Sequence, residues 1–392
     1  MIQEQIRTFE AKTVPINRNK FSLAEQYLAN KYEFRLNTVS LVVEYRKKGT
    51  EKFEILNENS IFRELQNMDL GLSITNLIAL LKSDFVPQYD PFVEYFENLP
   101  PWNGKDNISN LASYVKAVDG KEWKEHLKKH LVRSVACALD ENYFNKQALI
   151  IVHELQNSGK STFIRFLCPP KLNYYIAEDV TTDKDSRILL VKNFIINLDE
   201  LDKLSRKEVA AVKSFISKVQ INERLPYDRK NSILRRKASF FGSTNNFELL
   251  DDPTGSVRWL CFDITGIDFN YSKQIDINQV WAEAHHLYKS GFQFELTKEE
   301  IQRNEERNKN FQVLSMEREL ISKLYEPDEE KNFCNFMTAT DVLDKLHGLS
   351  NIAGKLNKVQ VGKALTVLGF PKGKEMDDRR SGYYLKLKNL DQ

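Results

Sequence analysis

The stretch ALIIVHELQNSGKSTFIRFL (148–167) decides the fold, because it places a glycine-lysine-serine loop between an apolar run and an apolar helical segment. Its second half fits the P-loop pattern GxxxxGK[ST], in which backbone N–H groups at a helix N-terminus bind phosphate. Lys160 would bridge the β- and γ-phosphates of a nucleotide, and Ser161 would offer its hydroxyl oxygen to Mg²⁺. The loop residues expected to contact the nucleotide are Gln156, Asn157, Ser158, Gly159, Lys160, Ser161 and Thr162.

The loop departs from the pattern at Glu154, which stands where the first glycine is expected. A carboxylate near phosphates repels them unless it faces away. Asn157 replaces a mid-loop glycine, and asparagine tolerates the left-handed conformation better than most residues. The other interpretation is a chance SGKST in a loop. The strand-like run before the motif and the helical segment after it favour the P-loop.

Two further apolar runs end in polar residues that suit nucleotide hydrolysis. NFIINL (193–198) is followed by Asp199 and Glu200, and ASFFGS (238–243) is followed by Thr244 and Asn245. In a P-loop ATPase, Asp199 would hold Mg²⁺, Glu200 would activate the attacking water, and Asn245 would orient that water. The alternatives are an ordinary helix N-terminal turn for the acidic pair and a simple turn for the asparagine.

Arg258 follows Asn245 within the segment DDPTGSVRW (251–259). An arginine at this point suits an arginine finger, a guanidinium that reaches the nucleotide of a neighbouring subunit. The alternative is a surface arginine that stabilises the fold.

A prior of roughly 150 residues per domain suggests two or three domains for 392 residues, and the pattern along the chain separates four regions. Residues 1–90 mix strand-like and helical runs, with a hairpin-like pair in 34–48 and serine-capped helices at 60–68 and 73–85. Helices are expected at 106–118 and 121–139, and a polar exposed helix or linker at 297–312. The predicted regions are an N-terminal α+β region (1–90), a helical linker (91–145), a P-loop ATPase domain (146–300) and a winged-helix-like unit (313–392).

Composition excludes several classes of protein. With 57 basic and 55 acidic residues the net charge is +2, so the chain is not uniformly basic. It has no signal-peptide pattern and no run of 18 apolar residues, and its four cysteines are isolated, so we expect no membrane span and a reducing cytoplasm. His126 and His130 have a spacing that suits metal ligands, but the lysines between them repel cations, so a plain exposed helix face is expected.

The order of these elements resembles the virulence-associated E protein family, AAA+-like ATPases related to superfamily 3 helicases and typical of phages and mobile genetic elements. The resemblance runs from about Tyr32 to Ile267. The matching segments are PFVEYFENLPPWNGKD (91–106), Gln156, SGKSTF (158–163), Lys184–Asp185, INLDEL (196–201), Lys213, RLPYDR (224–229), GSTNN (242–246) and the run ending at Arg258. The sequence departs from the family at Asn103, where an aspartate is usual.

The resemblance implies an α/β fold with an AAA+-like core and a homo-oligomeric ring, most often a hexamer. It also implies ATP with Mg²⁺ between subunits, single-stranded or origin DNA as partner, and a role in replication in a bacterial host cell. In superfamily 3 enzymes the segment after the acidic pair carries a hairpin that lines the pore. Here that segment, 203–237, holds eleven Lys or Arg and three acidic residues.

Basic residues in this segment would follow the DNA backbone, and Tyr227 would stack on a base. The C-terminal residues 341–392 hold ten basic and six acidic residues, with an Arg pair at the expected tip of the wing. The candidate DNA-binding residues are Lys213, Arg224, Tyr227, Arg229, Lys230, Arg235, Arg236, Arg379 and Arg380. The alternatives are a solvated helix face, a contact of Arg224 or Arg229 with a neighbour's ATP, and a wing that binds protein.

Three functions remain open from the sequence. The first is an ATP-dependent DNA helicase or translocase of a phage or mobile element. The second is a weakly hydrolysing, ATP-switched DNA-binding initiator or defence-related platform, which Glu154 favours. The third is a protein-interaction module that no longer binds nucleotide.

Overall fold

The computed structural model describes residues 19–178, 184–199, 201, 206–223, 231–250, 256–312, 315–349, 356–374 and 380–388. The chain divides into two compact units, Met1–Asn98 and Leu99–Gln392. The exact limits of the four predicted regions stay a prediction. Within the described ranges, no helix has the length and apolar character needed to cross a membrane.

In the first unit, three of the four helices share an apolar core with a small mixed sheet. Its strands are β1 (Tyr32–Asn37), β2 (Val43–Lys47), β3 (Glu54–Ile55) and β4 (Gln88–Tyr89), and its helices are α1 (Lys20–Lys31), α2 (Glu58–Asn67), α3 (Ile74–Leu81) and α4 (Pro91–Glu97). The antiparallel pair β1–β2 confirms the predicted hairpin. Ser73 caps α3 as predicted, but Asn57 caps α2, and the cap predicted at Ser60 is wrong because α2 begins two residues earlier.

The second unit is built around a six-stranded sheet in the order β5-β12-β6-β11-β8-β7, in which all neighbours are parallel except the edge strand β5. This confirms a mixed α/β fold with a parallel sheet. The strands are β5 (Val115–Ala117), β6 (Ala148–Val152), β7 (Ile176–Glu178), β8 (Ile195–Leu198), β11 (Ser239–Thr244) and β12 (Trp259–Ile267), and a separate antiparallel pair consists of β9 (Gln220–Glu223) and β10 (Ser232–Arg235).

Helices cover this sheet on both faces, as a parallel sheet requires. They are α5 (Asn107–Ser113), α6 (Gly120–Leu139), α7 (Lys160–Leu167), α8 (Lys184–Lys192), α9 (Arg206–Ile216), α10 (Tyr271–Gln274), α11 (Ile277–Lys289) and α12 (Lys298–Asn308). The helix predicted over 106–118 is wrong in its last residues, because 115–117 pair with β12 as a strand. The helix predicted over 121–139 is present as α6, and its apolar residues Trp123, Leu127, Leu131, Val135 and Ala138 are all buried.

Helix α12 corrects the prediction of an exposed helix or linker at 297–312. The side-chain amides of Asn304 and Asn308 donate to the Trp259 carbonyl at 3.0 and 2.9 Å, and Arg307 Nε donates to the Cys261 carbonyl at 2.9 Å. These carbonyls belong to the first half of β12, which does not pair with β5. The helix therefore covers a strand edge that would otherwise expose unpaired backbone groups.

The C-terminal part has its own apolar core under a four-stranded antiparallel sheet. Its helices are α13 (Met316–Leu324), α14 (Ala339–Leu349) and α15 (Lys358–Val367), and its strands are β13 (Tyr325–Pro327), β14 (Phe336–Met337), β15 (Lys372–Lys374) and β16 (Ser381–Leu387). Thr338 Oγ1 accepts from the Asp341 N–H and caps the N-terminus of α14. Two helices followed by a strand pair occur in the expected order, and the winged-helix assignment stays a prediction.

Arg236 lies in the core of the sheet domain, so its assignment to DNA binding is wrong. The side chain is 1% exposed, and its guanidinium donates to the carbonyls of Ile216 (2.5 Å), Asn145 (2.5 Å) and Ala238 (2.9 Å). Burial lowers the pKa of Arg236 to about 10, so the group stays charged at neutral pH. A buried charge with these hydrogen bonds ties β10 to the chain before β6.

The two histidines of α6 are buried, which corrects the expected exposed face. His130 Nε2 lies 3.0 Å from the Phe240 carbonyl, and His126 Nε2 lies 3.1 Å from Glu122. His126 Nδ1 is buried without a partner, which fits a neutral ring that donates through Nε2 only. Burial, with the nearby charge of Arg307, lowers the pKa of His126 to about 3, and burial likewise lowers the pKa of His130.

We predict that Arg236→Ala lowers the free energy of unfolding by about 3 kcal/mol or more, because it leaves several buried carbonyls unpaired and opens a cavity. Arg235→Ala, next to it and half-buried, is the control and should cost under about 0.5 kcal/mol. Tryptophan fluorescence in urea measures both, since all four tryptophans (102, 123, 259 and 281) lie in the second unit. Equal effects would contradict the structural role of Arg236.

We predict that stability falls as the pH drops below 6.5. The unfolded chain binds a proton at each histidine near this pH, whereas folded His126 stays neutral until about pH 3. The contribution of His126 to the free energy of unfolding is therefore complete above pH 6.5. Below that pH the contribution falls by up to about 1.4 kcal/mol per pH unit. Urea unfolding of wild type and His126→Gln between pH 7 and 5 measures the difference. The variant should show a shallower slope, and Lys124→Gln, exposed on the same helix, should keep the wild-type slope.

Candidate nucleotide site

A cleft of about 380 Å³ lies at the carboxyl edge of three neighbouring parallel strands. Thr244 of β11 pairs with Val152 of β6, and Gly242 pairs with Leu198 of β8, so the residues that follow these strands meet at one edge. The cleft is lined by Gln156, Asn157, Ser158, Gly159, Lys160, Ser161, Thr162, Arg165, Asp199, Ser243, Thr244, Asn245 and Phe269. All seven loop residues predicted to contact nucleotide are among them.

The loop has the backbone conformation that an anion nest needs. Gly159 has φ +86° and precedes the first residue of α7, and Asn157 has φ +56°. Asparagine therefore takes the left-handed conformation that the sequence predicted for it. Successive N–H groups at the start of α7 face the cleft and would bind phosphate oxygens.

Lys160 is held by oxygen acceptors on both sides of the cleft. Its Nζ donates to the carbonyls of His153 and Leu155 at 3.2 and 3.1 Å, to Ser158 Oγ at 3.0 Å and to Asn245 Oδ1 at 2.7 Å. The ammonium is buried among these groups and carries the positive charge that a phosphate requires. The contact with Asn245 brings together two residues that are 85 positions apart in sequence.

The Asp199 carboxylate contacts two hydroxyl groups and one guanidinium. Its Oδ1 accepts from Ser161 Oγ and from Ser243 Oγ, both at 2.6 Å, and its Oδ2 lies 3.6 Å from Arg165 Nη2. One carboxylate and two hydroxyls are hard oxygen donors, which is the ligand set that Mg²⁺ prefers alongside water and phosphate. The residues present therefore fit a magnesium ion, with Ser161 and Asp199 as the predicted ligands.

The remaining predicted catalytic residues fall in different places. Glu200 lies outside the described residues. Arg258 is exposed at the start of β12, where Trp259 pairs with Ala148, so it sits at the edge of the sheet opposite the cleft. Its Nε donates to Ser217 Oγ at 2.7 Å. A strand of five residues spans roughly 17 Å, so Arg258 does not reach the cleft of its own chain.

Glu154 points away from the cleft, although it stands at the position of the missing glycine. Its side chain is exposed and is not among the residues that line the cleft. The pKa of Asp263 on β12 is raised mainly by burial, and the charge of Glu154 raises it further. Because the Glu154 carboxylate is exposed and does not line the cleft, we expect its repulsion of phosphate to be weak.

The predicted DNA-binding residues are spread over three elements. Lys213 is half-buried on α9, Arg235 is half-buried on β10, and Arg380 is exposed at the start of β16. The residues Arg224, Tyr227, Arg229, Lys230 and Arg379 lie outside the described residues. In the sequence, the first four of these lie between β9 and β10, which pair as antiparallel strands.

Sequence reasoning missed three residues of the cleft. Arg165 follows Ser161 by four positions, the spacing of one helix face, and it pairs with Glu178 at the end of β7. Ser243 is the residue before Thr244 in a strand that was already singled out. Phe269 comes from the turn between β12 and α10, and nothing in its sequence surroundings signals a place at the P-loop.

The fold and the cleft together define a P-loop NTPase domain. The sequence pattern of the virulence-associated protein E-like domain matches residues 96–313, more than half of the chain, and the chain belongs to this family. The resemblance seen in the sequence is thereby confirmed. The matched region begins near the end of α4 and ends just after α12.

A solved structure resembles most of the chain in fold at low sequence identity. A structure described as "The apo structure of NrS-1 C terminal region (305-718)" has a TM-score of 0.50 and 12% identity, and it covers 94% of this chain and 100% of that one. A second form of the same region has a TM-score of 0.46 and 13% identity, with coverages of 90% and 88%. No curated protein sequence matches the chain.

We predict that Glu154→Gln changes the affinity for ATP by less than about twofold, because an exposed charge outside the cleft is screened by water and salt. Isothermal titration with Mg²⁺–ATP at low salt measures this. Asp199→Asn, which alters a carboxylate inside the cleft, provides the contrast. A tenfold or greater gain in affinity for Glu154→Gln would contradict the placement of its side chain.

Proposed function

We propose that this protein is an ATP-dependent DNA helicase or translocase that acts in replication of a phage or mobile genetic element. One observation carries the proposal. The groups that would bind the phosphates, the metal ion and the attacking water converge in one cleft, with Lys160 bound to Asn245 and Ser161 bound to Asp199. Membership of the family and a fold like that of the NrS-1 C-terminal region support it.

In the proposed reaction the loop N–H groups and Lys160 bind the phosphates of ATP. Ser161 and Asp199 would hold Mg²⁺, which when bound neutralises charge on the phosphates. Lys160 exchanges its present oxygen acceptors for phosphate oxygens, and this releases the side-chain amide of Asn245. That amide is then placed to hold the attacking water, and Glu200 accepts a proton from this water.

The proposal includes a ring in which neighbouring chains complete each site. Arg258 is exposed and lies at the opposite edge of the sheet from the cleft of its own chain. A guanidinium there can stabilise the transition state only in another subunit's site, as an arginine finger does. A closed ring with one repeated interface satisfies this geometry, and a hexamer is the size that we propose.

Single-stranded DNA is the partner that we propose for the β9–β10 pair. This pair is a separate two-stranded sheet, and the segment 203–237 that contains it holds eleven Lys or Arg and three acidic residues. Lys213 and Arg235, with Arg224, Tyr227, Arg229 and Lys230, are the residues that we propose to bind the DNA strand. Arg380 on the C-terminal strand pair is a second proposed contact, with phosphate.

A weakly hydrolysing ATP switch is less well supported than the motor. The feature that favoured it was Glu154, and this side chain lies outside the cleft. A nucleotide-free interaction module is also less well supported, because the loop keeps its left-handed Gly159 and the buried Lys160. An ATPase and strand-separation assay separates the three functions.

We predict that wild type hydrolyses ATP, that single-stranded DNA stimulates this activity, and that a forked duplex is unwound. Lys160→Ala should lose at least about 100-fold in hydrolysis, because it removes the positive charge at the phosphates. Lys124→Ala, exposed on α6, is the matched control and should retain full activity. ATP binding and DNA binding without hydrolysis would favour the switch, and failure to bind ATP would favour the interaction module.

We predict that Arg258 acts across the subunit interface. Arg258→Ala and Lys160→Ala should each abolish hydrolysis, and a one-to-one mixture should recover about a quarter of wild-type activity if sites act independently. Hybrid sites then combine an intact lysine with an intact arginine from the next chain. Hydrolysis rates and mass measurements of the mixed assembly test this. A stable mixed ring that stays inactive would contradict the assignment.

A further inference from the structure

Phe269 lies directly against the P-loop, although it comes from a different part of the chain. Its ring atoms Cε1 and Cζ lie 2.5 Å from the point that a Cβ on Gly159 would occupy. A side chain at position 159 would collide with the ring unless the ring moved, so glycine allows this close approach. Gly159 therefore serves two purposes, the positive φ of the loop and the close contact with an aromatic ring.

The backbone that carries Phe269 is fixed to the P-loop helix. Tyr271, two residues on, is buried and packs edge-on against Phe163 and Phe166 of α7, with ring centroids 5.3 and 4.9 Å apart. The preceding Asp268 donates its N–H to the Tyr114 carbonyl at 2.8 Å and accepts from the Asn270 N–H. The position of Phe269 over the loop thus follows from packing on both sides.

The ring itself is open to solvent, unlike the aromatic residues that anchor it. Phe269 is 54% exposed, whereas Tyr271 is 1% exposed. Phe269 is also the one aromatic side chain among the described residues that line the cleft, and its neighbours there are hydroxyls, amides and charged groups. An exposed apolar ring on an anchored backbone, in an otherwise polar cleft, is suited to contact an apolar part of a ligand.

We propose that Phe269 is the stacking platform for the base of the bound nucleotide, and that the site accepts nucleoside triphosphates with little discrimination between bases. This inference rests on the proposed nucleotide binding. The loop, Lys160 and Asp199 contact phosphates and metal only, so they leave the base without a partner. Stacking on an aromatic ring supplies one, and it tolerates any base because every base has a π-face.

The test compares ligands with and without a base on the full chain. Isothermal titration with the Mg²⁺ complexes of ATP, CTP and inorganic tripolyphosphate gives three affinities for each variant. Phe269→Ala should weaken the affinity for ATP by about tenfold and the affinity for CTP by less, because the larger purine stacks more strongly. The affinity for tripolyphosphate should stay within about twofold of the wild-type value. Phe269→Trp should keep the wild-type ATP affinity.

Phe333→Ala is the matched control, since Phe333 is 61% exposed and lies in the C-terminal part. It should change none of the three affinities. Equal losses for ATP and tripolyphosphate in Phe269→Ala would overturn the inference, because the ring would then only support the loop. Unchanged ATP affinity would overturn it as well. If the wild-type protein bound neither ATP nor tripolyphosphate, that result would overturn the proposed function, and this inference with it.

Discussion

The two hydrogen bonds that Asp199 Oδ1 accepts from Ser161 and Ser243 are the interaction on which the site depends. These three residues follow or end three different strands, so the contact exists only if β6, β8 and β11 are parallel and in one register. A slip of one residue in the pairing of a strand would turn all of its side chains to the opposite face of the sheet. The buried apolar runs of these strands fix the register, and the register assembles the cleft.

Much of this arrangement could be predicted from the sequence, because its signals are local. An apolar run, a glycine-lysine loop and a helix are continuous in the chain, and so are the ends of the strands at Asp199 and Asn245. Contacts between distant segments could not be predicted. Phe269 reaches the loop through the turn after β12. Of two neighbouring arginines, Arg235 is half-buried at the end of β10, whereas Arg236 is fully buried and bonded to carbonyls of distant segments.

The same limit explains the errors in the helices. Residues 115–117 carry no strong strand signal, and they become a strand because β12 offers them an edge to pair with. His126 and His130 were expected on an exposed face because lysines separate them, yet α6 is covered on nearly every side by the sheet and by α12. Polarity along a helix predicts exposure only when one face of the helix remains free.

The cover that α12 provides for β12 has a consequence for synthesis. The ribosome synthesises Trp259 before it synthesises α12. Until Asn304 and Asn308 emerge, the Trp259 carbonyl in the first half of β12 has no hydrogen-bond donor from this helix. At about 5–20 residues per second this interval lasts a few seconds. The nascent sheet therefore carries an open strand edge for that time, and nascent neighbours on one messenger could pair through it before each chain completes its own fold.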